Sequence, residues 1–60
     1  ARGRVLAALR EHGGASVREI AVETGMAVER TSRAAAGLAG DGLATVDTQE
    51  ISVDTYVSID

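Results

Sequence analysis

The chain has 60 residues, a formal net charge of −3, no cysteine and a single aromatic residue, Tyr56. A chain of this length accommodates one domain, residues 1–60, and buries only about 60% of the surface that its unfolded form exposes. The lack of cysteine excludes disulfides and thiolate metal sites, and no apolar run nears the roughly 18 residues of a membrane span. We expect a soluble, cytoplasmic module without metal or cofactor, and, since the chain starts without Met, a fragment of a longer protein.

Charge is unevenly distributed along the chain. Residues 1–33 contain every arginine and four glutamates and sum to +2, whereas residues 34–60 contain five carboxylates and no basic residue and sum to −5. Such asymmetry predicts one face that meets an anion and another that repels it. The acidic balance without lysine fits a salt-rich haloarchaeal cytoplasm, and a high-GC genome such as that of an actinobacterium produces the same bias.

Helix 1 is predicted over about residues 2–12, because Val5, Leu6 and Leu9 recur at helical spacing. Gly13 follows it, and glycine favours the left-handed conformation common at helix C-termini. We interpret His12 as a favourable charge at this C-terminus rather than as a metal ligand.

Helix 2 is predicted over about residues 17–24. Ser16 and Glu19 have the spacing of a capping box, in which each side chain binds the backbone amide of the other residue. Gly25 ends the helix and leaves a tight turn. Ala15, just before the cap, can form a very short strand.

Helix 3 is predicted over about residues 28–40. Its apolar face consists of Thr31, Ala34, Ala35 and Leu38. Its opposite face consists of Glu29, Ser32, Arg33 and Ala36. Gly37 costs roughly 1 kcal/mol relative to alanine, so either a neighbour packs closely there or the helix is soft.

Two strands, residues 43–48 and 51–59, are predicted to form a hairpin joined by Thr48, Gln49 and Glu50. The second strand alternates, with Ile51, Val53, Thr55, Val57 and Ile59 on one side and polar residues and Tyr56 on the other. The predicted class is therefore α+β and mostly α, with three helices followed by a two-stranded hairpin.

Two short helices joined by a tight glycine turn form a helix-turn-helix unit, and a following hairpin makes it winged. The residues that carry a resemblance are Ser16-Val17-Arg18-Glu19-Ile20-Ala21, Thr24-Gly25-Met26, Thr31-Ser32-Arg33-Ala34, Leu38 and Gly42-Leu43. Over nearly its whole length the chain resembles the winged helix-turn-helix domains of bacterial and archaeal transcription regulators, such as the MarR and IclR types.

The resemblance implies that helix 3 enters the DNA major groove while the hairpin wing lies over the neighbouring minor groove or backbone. It puts Val28, Glu29, Ser32 and Arg33 in the groove, Arg30 and Ala36 at its edge, and Ser16, Val17 and Arg18 beside a phosphate. Arg33 would bind guanine or a phosphate, or would simply pair with Glu29. Arg2 and Arg4 would reach the DNA backbone or remain surface charges.

The chain departs from the family pattern at two places. Ala27 stands where many relatives have a serine that caps helix 3, so that the cap is lost or is supplied by Thr24. The wing carries Asp47, Glu50 and Asp54 without any basic residue, which argues against its contact with phosphate.

Three functions remain open, none of them enzymatic, because no serine or histidine has a recognisable catalytic partner. The first is sequence-specific binding of double-stranded DNA by a prokaryotic transcription regulator, with two-fold pairing of the parent protein as a homodimer. The second is a protein-interaction winged helix that uses the acidic wing or the alanine-rich helix 3. The third is recognition of RNA or of a translocated strand within a larger enzyme.

Overall fold

The computed structural model describes residues 2–48 and 50–59. Three helices, α1 (Arg2–His12), α2 (Val17–Thr24) and α3 (Val28–Gly40), are combined with three short strands, β1 (Gly14–Ser16), β2 (Thr45–Val46) and β3 (Tyr56–Ser58). The mostly helical α+β class is confirmed, and the helices occupy the ranges expected from the sequence. No helix in the described ranges has the length and apolar character needed to cross a membrane.

The helices end where the glycines allow a change of direction. Gly13 and Gly25 adopt φ values of 79° and 71°, in the left-handed region that glycine enters without steric cost. The amide of Gly13 donates to the Leu9 carbonyl at 2.6 Å. The turn at Gly13 leads α1 directly into β1, and the turn at Gly25 separates α2 from α3 by a few residues.

The sheet is antiparallel with the order β1-β3-β2. Val57 at its centre faces Ala15 of β1 on one side and Val46 of β2 on the other. The strand expected near Ala15 therefore exists, and it pairs with the last strand of the chain. Val57 is fully buried, so the sheet closes one side of the helical core.

The predicted hairpin is correct in its pairing and wrong in its length. The pairing between β2 and β3 covers only Thr45 with Ser58 and Val46 with Val57, whereas strands were expected over residues 43–48 and 51–59. Gln49 in the joining segment and Asp60 lie outside the described residues. Before β3 the chain leaves the ladder because its carbonyls bind α2 instead: Thr55 and Val53 accept hydrogen bonds from the amides of Val17 and Arg18, each at 3.0 Å. The predicted alternation of inward and outward residues still holds, because Thr55 and Val57 are both buried.

The core consists of small aliphatic side chains from every helix and from the sheet. Its members are Val5, Leu9, Val17, Ile20, Ala34, Ala35, Leu38, Ala44 and Val57. Thr31 is also fully buried, and its hydroxyl donates to the Ala27 carbonyl at 2.9 Å, so that burial leaves no polar atom unpaired. The alanines allow α3 to lie close to α1 and α2, and α3 is thereby fixed with one face inward.

Candidate nucleic-acid interface

Helix α3 has one buried and one exposed face. Thr31, Ala34, Ala35 and Leu38 are buried, as the sequence pattern predicts. Glu29, Arg30, Arg33 and Ala36 are exposed, Val28 is 37% exposed, and Ser32 is half-buried. The residues proposed to face a DNA groove thus share the solvent side of one helix.

The exposed face of α3 is bordered on both flanks. On one flank, an open groove runs between Val28, Ser32 and Ala36 of α3 and the segment 51–53 of the β2–β3 loop. On the other flank, a cleft is lined by Arg2 of α1 together with Arg30 and Arg33. Arg33 borders both depressions and therefore occupies the centre of the surface, while Arg30 belongs to the α1 flank.

The arginines differ in whether a carboxylate already neutralises them. Arg2 pairs with Asp41, and Arg18 lies 3.5 Å from Asp54, with both side chains largely exposed. Within residues 2–48 and 50–59, no carboxylate lies within 4 Å of Arg30 or Arg33. The alternative pairing of Arg33 with Glu29 is therefore absent, and both guanidinium groups are available to an anion.

The N-terminus of α3 has no side-chain cap. Ala27 has an extended backbone and makes no capping hydrogen bond, and the first helical hydrogen bond runs from the Thr31 amide to the Ala27 carbonyl. Thr24 does not supply the cap either, because its hydroxyl donates to the Ile20 carbonyl at 2.7 Å and accepts from the Met26 amide at 3.4 Å. The first amides of α3 therefore face solvent at the positive end of the helix dipole.

The N-terminus of α2 differs from the expectation of a phosphate site at Ser16, Val17 and Arg18. Val17 is fully buried, and the amides of Val17 and Arg18 donate to loop carbonyls. The Glu19 amide donates to the Ser16 hydroxyl at 3.2 Å. These amides are already used within the fold, and the Arg18 side chain, the remaining basic group, lies 3.5 Å from Asp54.

The capping box of α2 perturbs the acidity of its glutamate. The Ser16 amide donates to Glu19 Oε1 at 3.1 Å, and hydrogen bonds from the backbone and the side chain of Ser16 hold the pKa of Glu19 below its usual value. A lowered pKa in the folded state means that the capping box stabilises the fold above the glutamate pKa of the unfolded chain. That stability is lost as the pH falls through the folded-state pKa.

We expect Ser16→Ala to lower the free energy of unfolding by about 0.5–2 kcal/mol, because a donor at the α2 N-terminus loses its acceptor. The pKa of Glu19 rises at the same time, because the hydrogen bond from the Ser16 side chain is lost. The rise is partial, since the hydrogen bond from the backbone amide of residue 16 is retained. Urea denaturation and carboxyl NMR titration measure the two effects. Ser32→Ala on α3 is the control, and equal destabilisation by both substitutions would contradict the role of the cap.

The structure also brings together ionisable residues that the sequence did not connect. His12 Nε2 at the end of α1 lies 3.5 Å from Glu23 Oε1 in the last turn of α2, and Glu11 lies beside them. Glu23 follows His12 by eleven positions and lies on another helix, so no periodicity within a single element relates them. Only the packing of α1 against α2 creates this cluster.

Arg4, which was expected to reach the DNA backbone or to remain a surface charge, is exposed on α1.

Comparison of the chain with models of known protein families, with curated proteins and with solved structures gives no match.

Proposed function

We propose that the chain is a winged helix-turn-helix module that binds double-stranded DNA, with α3 in the major groove, in a prokaryotic transcription regulator acting in the cytoplasm. The observation that carries this proposal is the pair of exposed arginines, Arg30 and Arg33, that no described carboxylate neutralises. They lie on a helix whose opposite face is buried in the core. A helix that is packed on one side and presents cations on the other is suited to a groove lined by phosphates.

The architecture supports the proposal. The order α1, β1, α2, α3, β2, β3, with a tight turn at Gly25 between α2 and α3, is typical of winged helix-turn-helix domains. In such domains the second helix of the unit enters the major groove. Here that helix is α3, and the loop between β2 and β3 is the wing.

Each residue of the exposed α3 face has a chemical role in this proposal. The guanidinium group of Arg33 donates two hydrogen bonds to O6 and N7 of guanine, and Glu29 accepts from N4 of cytosine. Val28 makes apolar contact with a thymine methyl group. Arg30, beside Arg2, faces the phosphates along the edge of the groove.

The wing contributes to the fold more than to DNA affinity. Asp47, Glu50 and Asp54 are exposed and would repel phosphates, and Asp54 neutralises Arg18. Ile51 and Val57, by contrast, pack in or against the core. A module with a net charge of −3 releases few counterions on binding, so a homodimer of the parent protein would supply useful affinity.

Protein interaction is the second candidate function, and a specific surface favours it. Ala36 and Ala39 of α3 form an open apolar groove with Val46 of β2 and Ile51 of the wing, and the exposed carboxylate of Asp47 lies at its border. A partner with apolar and basic side chains fits this groove. DNA binding would instead use Arg30 and Arg33 of α3, so the two functions predict different contacts except at Ala36, which borders both surfaces.

Amide NMR during titration with a short DNA duplex of mixed sequence, at low and at moderate salt, tests the proposal. We expect chemical shift changes at residues 28–33 that fade as the salt concentration rises, because phosphate contacts are salt-dependent. Amides near the exposed Val22 on α2 serve as the internal reference. A folded sample without changes at low salt would contradict DNA binding.

A further inference from the structure

Three potential metal ligands converge between the C-terminal ends of α1 and α2. The imidazole of His12 and the carboxylates of Glu11 and Glu23 each present an atom within 4.8 Å of the other two. His12 Nε2 and Glu23 Oε1 are 3.5 Å apart. All three residues are exposed, so their side chains can adjust without disturbing the core.

The distances suit a first-row transition metal. Bonds of about 2.0–2.2 Å to nitrogen and oxygen place tetrahedral ligand atoms about 3.3–3.6 Å from one another. The separation of 3.5 Å between His12 and Glu23 already satisfies this requirement. The Glu11 carboxylate lies within 4.8 Å of the other two ligand atoms and is solvent-exposed, so it is the third ligand of the set.

The local electrostatics favour a cation at this position. Glu11 and Glu23 lie in the last turns of their helices, where the negative ends of two helix dipoles oppose carboxylates and favour positive charge. Glu19 lines the same cavity as His12 and Glu23. Within residues 2–48 and 50–59, no arginine lies within 4 Å of any of these carboxylates.

The cavity beside the cluster provides room for the remaining ligands of a metal ion. His12, Glu19 and Glu23 line it together with the small residues Ala8, Gly14 and Ala15. Small side chains leave space for water molecules, which fill the open coordination positions of a metal held by three protein ligands. Glu19 is engaged with Ser16, so it contributes charge rather than a bond.

We propose that Glu11, His12 and Glu23 bind a divalent transition-metal ion of the zinc class, bridging the C-terminal ends of α1 and α2. An imidazole with two carboxylates selects such ions over Mg²⁺, which binds oxygen and retains its waters. The site lies on α1 and α2, whereas the proposed DNA contacts lie on α3. It therefore does not depend on the proposed function.

Titration of the tag-free chain with Zn²⁺, followed by calorimetry and by imidazole ¹⁵N NMR, tests the proposal. His12 is the single histidine of the chain, so its resonances report one site. We expect saturable 1:1 binding, a shift of the Nε2 resonance, and an affinity at least tenfold lower in both His12→Ala and Glu23→Gln. Glu50→Gln removes the same charge from the wing and is expected to leave Zn²⁺ binding unchanged.

Two results would overturn the metal site. One is Zn²⁺ binding of equal strength in His12→Ala and the wild type, which would indicate diffuse attraction to an acidic surface. The other is displacement of Zn²⁺ by an equal concentration of Mg²⁺, because coordination by an imidazole does not permit it. Circular dichroism of each variant establishes that the fold is intact.

Discussion

Leu38→Ala is expected to lower the free energy of unfolding by about 2–5 kcal/mol. Leu38 is 1% exposed and belongs to the buried cluster that joins α3 to α1, α2 and the sheet. Its truncation leaves a cavity among small side chains that have little freedom to fill it. At roughly 0.05–0.15 kcal/mol per residue, a chain of this size has little stability to lose, so we expect a large unfolded population at room temperature.

Leu43→Ala is the matched control for this substitution. Leu43 lies between α3 and β2 and is 50% exposed, so the same chemical truncation removes far less buried surface. Urea denaturation followed by circular dichroism measures both variants, and we expect Leu43→Ala to cost less than about 1 kcal/mol. Similar losses for the two leucines would contradict the burial of Leu38 in the core.

Arg33→Ala is expected to weaken binding to a selected DNA site by about 1–3 kcal/mol, corresponding to about 5-fold to 150-fold in the dissociation constant. Arg33 lies where the two depressions on the exposed side of α3 meet, and no described carboxylate lies within 4 Å of it. A duplex enriched from a random-sequence pool supplies the site, and fluorescence anisotropy at fixed salt measures the affinity.

Two further variants separate the roles of Arg33. Arg33→Lys keeps the charge but loses the planar fork that binds guanine at two atoms, so we expect weaker binding to the selected site and unchanged binding to unselected DNA. Arg10→Ala removes the same charge from the exposed surface of α1 and is expected to have a small, salt-dependent effect. Equal effects of Arg33→Ala and Arg10→Ala would contradict a specific contact of Arg33.

The helices could be predicted because their signals are local. The capping box of Ser16 and Glu19 depends on residues three positions apart, and Gly25 reverses the chain by its own backbone freedom. The buried face of α3 likewise follows from helical spacing. The division of the candidate interface into buried and exposed residues was therefore readable from the sequence.

The ion pairs and hydrogen bonds of the individual site residues could not be predicted in the same way. Arg30 and Arg33 differ from Arg2 and Arg18 because Asp41 and Asp54 lie near the latter pair, and these contacts join residues distant in the chain. The sequence of the α2 N-terminus predicts free amides for an anion, whereas the loop carbonyls of Val53 and Thr55 accept the hydrogen bonds of these amides in the structure.

The three helices, the inward face of α3 and the acidic character of the β2–β3 loop follow from the amino-acid sequence alone, since each depends on composition or on neighbours within about one or two helical turns. The start of β3, the neutralisation of Arg2 and Arg18, and the contact of His12 with Glu23 depend on the fold. Those features require hydrogen bonds and ion pairs between separate elements, for example from Val17 to Thr55. The packing of the core determines which elements make these contacts, and no periodicity along the chain predicts them.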